Sequence, residues 1–279
     1  MAVTVTEAEE DKKQGRMNSK DTDGAFTELL RSFRPVTLEE MDGIRLMNRI
    51  DTKFLTDTRE LYGILSDALE RGYRVFEIEG KRLHAYDSIY FDTADLRTFT
   101  DHRRGKATRQ KIRTRLYEDS GICFLEVKRK NNHGRTGKKR MKLPPDEFTD
   151  FRSDSSAGIW LADHSDFCSQ MLSPSLETRF RRVTLADEAL SERLTIDLDL
   201  SFRNLRSELD AWMGAAVVIE LKQDGRKASA MREILLRHRV KPLKVSKYCI
   251  GIVATDPEVM PGKFKERLRL IEKLNNKLI

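Results

Sequence analysis

Residues 111–118 read K-I-R-T-R-L-Y-E, and residues 122–130 read I-C-F-L-E-V-K-R-K. Side chains alternate between the two faces of a strand. The first segment therefore puts Lys111, Arg113 and Arg115 on one face and Ile112, Thr114 and Leu116 on the other. In the second, Glu126, Lys128 and Lys130 oppose Cys123, Leu125 and Val127. Asp119-Ser120-Gly121 between them reads as a hairpin turn. An ordinary surface sheet mixes both charge signs with Thr and Ser on its wet face, whereas these strands are mostly cationic there. Several such strands facing one another would line a basic cavity with a few acidic points. That is a site for a polyanion plus a metal ion.

The same pattern recurs outward from this hairpin. K-K-R-M-K-L (138–143) aligns Lys138, Arg140 and Lys142, and A-V-V-I-E-L-K (216–222) aligns Glu220 and Lys222. R-I-D-T-K-F-L (49–55) sets Arg49, Asp51 and Lys53 against Ile50, Thr52 and Phe54. Further strands are expected at 73–79, 85–91, 176–185 and 192–200. Helices are expected from Thr37, where T-L-E-E forms a capping box with Glu40, and at 58–71, 92–103 and 226–239. Residues 145–172 read as a helical insertion, and 244–251 as a short strand or a helix start. The pattern predicts an α+β fold: an antiparallel, closed or nearly closed β-barrel with a polar lumen and helices at its ends and outer face. Residues 1–24 read as a polar tail, 25–255 as the tunnel domain, and 256–279 as a basic amphipathic helix packed on it. That helix presents Leu268, Leu270, Ile271 and Leu274.

The chain has 279 residues, of which 35% are charged, and a formal net charge of +7. This favours acidic partners. Cys123, Cys168 and Cys249 are widely spaced, which suits a reducing compartment and argues against a zinc site. No apolar run approaches a membrane span and no secretory segment opens the chain, so a soluble, cytoplasmic protein is expected.

Read in order, R-x-x-x-K-F, Y-F-D-T, K-I-R-T-R-L-Y, F-L-E-V-K-R-K, R-F-R-R, T-I-D-L-D, V-I-E-L-K and V-S-K-Y-C-I-G resemble one family. It is the VTC-type polyphosphate polymerase domain, within the triphosphate tunnel metalloenzyme (CYTH-like) superfamily. The resemblance covers roughly residues 40–255. It implies an eight-stranded antiparallel tunnel in which the terminal phosphoryl of ATP passes to a growing polyphosphate chain, assisted by a divalent metal, manganese or magnesium. Matched motif by motif, it implies catalytic roles for Lys53, Arg113, Arg115, Lys128, Arg182 and Lys247, and metal binding by Glu220. Arg181 rivals Arg182, because R-F-R-R permits two registers and a one-residue slip reverses the faces. The E-x-E-x-K first strand of the thiamine triphosphatase and adenylate cyclase branches is absent, since residues 49–53 read R-I-D-T-K. That favours the polymerase branch.

The chemistry suits these residue types. A triphosphate needs cations on every side; Arg offers bidentate bonds and Lys a movable point charge. Phosphoryl transfer depends mainly on positioning and charge neutralisation. Lys111, Lys130, Arg140 and Lys222 are further phosphate-binding candidates. After Glu220, the next metal-ligand candidates are Asp197, Asp199 and Glu126. The five histidines form no ligand-spaced pair and read as surface or structural. Alternatives on the same fold are a metal-dependent triphosphatase and a non-catalytic polyphosphate-binding module. Nucleic acid is disfavoured, because aromatics do not interleave with the basic residues as base stacking requires. The sequence sets no oligomeric state.

Overall fold

The structure, a computed structural model, describes residues 24–42, 49–133, 135–151, 155–225 and 228–276. All but the last residue of the expected tail 1–24 lies outside them.

In chain order the elements are α1 (24–32), β1 (Arg34–Val36), α2 (Leu38–Asp42), β2 (Arg49–Asp57), α3 (Thr58–Glu70), β3 (Arg74–Phe76), β4 (His84–Asp92) and α4 (Arg97–Arg104). Then come β5 (Arg109–Tyr117), β6 (Ile122–Lys130), β7 (Thr136–Leu143), α5 (Ser155–His164), β8 (Ser173–Ala186) and β9 (Glu192–Asn204). The chain continues through β10 (Asp210–Trp212), β11 (Ala216–Asp224), α6 (Ala230–Arg237), α7 (Lys247–Thr255) and α8 (Lys265–Asn276).

Eight strands form one path, β2-β11-β9-β8-β4-β5-β6-β7, and every neighbouring pair on it is antiparallel. Its two ends do not pair among the described residues, so the barrel is curled without being closed by hydrogen bonds. The curl brings Lys53 on β2 into the electrostatic field of Lys128 on β6. At the far edge, β7 is cationic on both faces, with Lys138, Lys139, Arg140 and Lys142. Such charge is what keeps an edge strand from pairing further.

The outward faces are apolar and covered by helices. Val183, Leu194, Ile196, Ile219 and Leu221 pack beneath α1, α3 and α6 through Leu30, Leu61, Ile64, Leu65 and Ile234. Ile89, Ile112, Leu125 and Val127 pack beneath α5 through Ala157 and Leu161. One end of the lumen is plugged. Tyr248, Ile250 and Ile252 of α7 join Leu176, Leu200, Phe202 and Val218, and α8 adds Ile271 and Leu274. Gly251 lets α7 press onto the barrel, since a Cβ there would run into Leu176 and Phe202. Asp92 ties the plug to α4. It accepts the backbone N–H groups of Thr98 and Phe99, at 2.8 and 2.9 Å, and the Tyr248 hydroxyl.

The capping box forms as expected: Glu40 accepts the Thr37 N–H at 2.8 Å, and Thr37 Oγ1 accepts the Glu40 N–H at 3.3 Å. The helix expected beyond Asp42 falls outside the described residues. The described residues of the 145–172 insertion are mainly helical, as expected, but in pieces: α5, with short 3-10 turns at Pro145–Glu147 and Ser169–Met171. The 73–79 strand shrinks to β3, which pairs in parallel with the unforeseen β1. Of the two readings of 244–251, the helix start holds: α7 begins at Lys247, with Ser246 as its N-cap.

Candidate functional site

The register fixes which side chains meet across the lumen. On β5, β6 and β7 one row is Lys111–Lys128–Lys138, and the next is Arg113–Glu126–Arg140. On the opposite wall Lys53 of β2 and Thr195 of β9 flank Glu220 of β11, while Arg182 of β8 pairs with Asp197 of β9.

Three carboxylates stand among these cations, in unequal states. Glu126, 1% exposed, accepts Arg113 through Nε and Nη2 at 2.8 and 2.6 Å, and Lys138 at 2.5 Å. Asp197, 3% exposed, accepts Arg182 at 2.5 and 2.9 Å and lies 2.7 Å from Lys247 Nζ. Burial alone would raise both acids. Arg113, Arg115 and Lys138 hold Glu126 well below the usual carboxylate range, and Arg182 and Lys247 do so for Asp197. Glu220 is different: its nearest cations, Lys222 and Lys53, stand at 3.9 and 4.0 Å, beyond hydrogen-bond distance. Burial is again opposed by its neighbours Lys53, Lys222, Lys128 and Arg182, which bring it down to about 2. Glu220 is thus ionised yet loosely held.

Around it the cations outnumber the acids. Among the described residues Lys111 is bonded only to a neutral group, the Ser246 hydroxyl at 2.8 Å, and burial pushes it down to about 8. Lys222 is likewise pushed down to about 8 by burial, against the pull of Glu220. Burial also lowers Lys128, with Lys53 adding to the effect and Glu220 and the exposed Asp51 opposing it.

Lys53, Arg113, Arg115, Lys128, Arg182, Lys247, Lys111, Lys222, Glu220 and Asp197 are therefore brought together. Of the two registers for R-F-R-R, Arg182 faces the lumen. Arg181 instead pairs with Asp199 at 2.5 Å, where both side chains are about two-fifths exposed. The expectation that Asp199 shares a face with Asp197 is corrected. The β8–β9 register shifts between Arg179 and Arg181, and Asp199 has φ +54°, so a bulge breaks the alternation. Arg140 lies over the Phe124 ring, 4.6 Å from its centroid. Lys130 sits at the end of β6 and is not among the groups that surround Glu220.

Sequence reasoning missed the aromatic lining, and its premise that aromatics and cations do not interleave is corrected. Tyr86 and Phe180 stack at 5.3 Å, and the Arg115 and Arg182 guanidinium groups lie over both rings. Lys247 Nζ lies 2.9 Å from the Phe180 centroid. The interleaving arises between strands, so no single segment displays it. These ring faces are taken by cations or by each other; they orient the lumen's charges. Tyr90 was missed as well, although the alternation of Tyr86, Ser88 and Tyr90 in β4 marks it; Lys138 was read on an aligned cationic face but given no role.

A curled antiparallel sheet with cationic side chains on several walls and a loosely held carboxylate defines the triphosphate-tunnel class of fold. The VTC domain family matches residues 48–255, and the chain belongs to it. No curated protein matches the sequence. Among solved structures, the chain is similar to a putative adenylyl cyclase from Hippeastrum described as having a dominant triphosphatase activity, with 16% identity and a TM-score of 0.48. That likeness covers 77% of this chain and 99% of the other. A putative adenylate cyclase from Vibrio parahaemolyticus is similar at 11% identity and TM-score 0.45, over 74% of this chain and 99% of the other. A Pyrococcus horikoshii protein is similar at 10% identity and TM-score 0.41, over 72% and 98%. No helix among the described residues is long and apolar enough to cross a membrane.

Proposed function

We propose that this chain is an ATP-dependent polyphosphate polymerase. It transfers the terminal phosphoryl of ATP to a phosphate chain lying in the basic lumen. The observation that carries this reading is the charge imbalance around Glu220, where Lys53, Lys128 and Lys222 face one inner carboxylate and Lys111 adds its charge beside Lys53 and Lys128. The phosphate oxygens of donor and acceptor complete that balance. Arg113, Arg115 and Arg182 orient the phosphates, with their planes set by Glu126, Tyr86, Phe180 and Asp197. Lys53, Lys128 and Lys247 supply positive charge where negative charge builds at the β–γ bridging oxygen.

A divalent metal fits this donor set at one point. Glu126 and Asp197 are committed to short ion pairs and Asp199 lies with Arg181, whereas Glu220 has only contacts at 3.9–4.0 Å. Among the described residues no group of three acidic, His or Cys side chains forms a metal cage. A site of one carboxylate completed by substrate phosphate oxygens is ordinary for magnesium or manganese. The metal, when bound, supplies further neutralisation of phosphate charge.

Chain extension also suits the state of the acids. The P–O bond to ADP breaks as one forms to the terminal oxygen of the acceptor, which is already an oxyanion, so no proton need be removed. Water would need a base, and Glu126, Asp197 and Glu220 are all held below the usual carboxylate range. Incubation with ATP and manganese should yield ADP and an acid-labile polymer that takes a polyphosphate stain on a gel. ADP and free phosphate without polymer would make the protein a triphosphatase. Tight polyphosphate binding without turnover would leave a binding module.

A further inference from the structure

Tyr90 carries a hydroxyl in the lumen that the reading above leaves without a task. It is 6% exposed, on the lumen-facing alternation of β4, opposite Arg113. Its ring stacks on Tyr248 at 5.0 Å, and the Arg113 guanidinium lies 5.7 Å from its centroid. The phenol oxygen accepts Arg113 Nη1 at 3.0 Å. Its own proton has no acceptor within hydrogen-bond distance among the described residues. A phenol is both donor and acceptor, and a buried donor without a partner costs free energy.

The charges facing this hydroxyl are cations: Arg113, Arg115 and Lys111, all from β5. From α7 it meets Tyr248, whose hydroxyl is already donated to Asp92. The β8 residue opposite is the apolar Leu176. Glu126 is the nearby acid, and it is engaged by Arg113 and Lys138. A donor that finds no protein acceptor, inside a ring of cations, is arranged for an anionic oxygen arriving from outside.

We propose that the Tyr90 hydroxyl donates to a non-bridging phosphate oxygen of the chain in the lumen, bound alongside Arg113. The inference rests on the polyphosphate reading and adds a neutral donor to its cationic contacts. It has a consequence beyond affinity. In the empty lumen burial would raise the phenol's pKa, but Arg113, Arg115 and Lys111 bring it below its ordinary value. A phosphate oxygen beside it acts in the opposite sense, because donation requires the proton and the phosphate charge disfavours phenolate. Filling the lumen should therefore hold the proton on Tyr90.

The test uses the full chain, inorganic tripolyphosphate and Tyr90→Phe, which keeps the ring and its stacking. Calorimetry should show the variant binding roughly tenfold or more weakly than wild type, the scale of a hydrogen bond to a charged group. Its thermal midpoint should fall modestly, through the lost hydrogen bond from Arg113. Alkaline titration at 295 nm should show one tyrosine of the wild type ionising ahead of the others. That early phase should move to higher pH with tripolyphosphate and be missing from Y90F. Binding by the variant within about twofold of wild type, or an early phase that persists in Y90F or ignores tripolyphosphate, overturns the assignment of Tyr90 alone. If the wild type fails to bind tripolyphosphate, the polyphosphate reading falls and this inference falls with it.

Discussion

Raising the pH from 7 to 9 should strip the lumen of much of its hold on phosphate, through two lysines. Lys111 and Lys222 are both pushed down to about 8 by burial. Across this range each passes from about nine-tenths to about one-tenth protonated in the empty protein. A bound phosphate chain restores the proton, so each lysine should weaken binding about tenfold, and the pair about a hundredfold. At pH 8, where each is half protonated, binding should take up about one proton in total. Calorimetry with tripolyphosphate in buffers of different ionisation enthalpy measures both quantities. The double variant Lys111→Gln/Lys222→Gln cancels the ligand's own ionisation, because both proteins meet the same ligand. The affinity ratio of wild type to variant should shrink about a hundredfold between pH 7 and 9. A ratio that stays constant refutes the reasoning. Stability of the empty protein should run the other way. The native lysines titrate below their unfolded value of 10.5, so between about pH 8 and 10.5 the unfolded chain binds more protons. Stability relative to the double variant therefore rises with pH there, by at most about 1.4 kcal/mol per pH unit for each lysine.

Glu126→Gln should lower stability by about 2 kcal/mol in urea denaturation, because it leaves half-buried Arg113 and the more exposed Lys138 without their shared, buried anion; a loss below about 1 kcal/mol would mean that water already screens the pair. Glu220→Gln should abolish turnover of ATP with manganese and lower the thermal midpoint at neutral pH, since Lys53, Lys222 and Lys128 lose the anion they hold at about 2; retained turnover would remove this carboxylate from metal binding. Gly251→Val should lower the thermal midpoint and weaken tripolyphosphate binding together, because its side chain collides with Leu176 and Phe202 and displaces the helix that carries Lys247; a neutral outcome in both would show that α7 can shift without disturbing the lumen.

Much of this fold is legible in the sequence because one period dominates it. The lumen is polar and the outside apolar, so most barrel strands obey the same alternation, and Lys111, Arg113, Lys128, Glu220 and Lys222 fall on the inner face by that rule. The rule fails where the backbone departs from it. At T-I-D-L-D the bulge around Asp199 turns the second aspartate out of step with Asp197, and no residue type in that segment announces it. The choice between Arg181 and Arg182 needed the partner strand, since Asp197 is what meets Arg182. The short β1–β3 pair is invisible to periodicity, because three residues make no pattern. The aromatic lining was hidden for another reason. Phe180, Tyr86 and Arg115 belong to three different strands and become neighbours only through pairing.

The lumen's cations also divide into those already balanced by a close carboxylate and those that are not. Arg113 and Lys138 share Glu126, and Arg182 and Lys247 share Asp197, at distances of 2.5–2.9 Å. A fold selected for stability alone would extend that pairing to every buried cation, since an unpaired buried charge is costly. It loosens at Lys53 and Lys222, which reach Glu220 only at 4.0 and 3.9 Å, and stops at Lys111 and Lys128, which make no ion pair among the described residues; Lys111, Lys128 and Lys222 are lowered as a result. Because paired and unpaired cations occupy adjacent rows of one sheet, the imbalance is local and not a by-product of the chain's +7 net charge. A polyanion that fills it recovers the electrostatic cost that folding left in place. Its binding free energy then adds directly to the stability of the filled barrel.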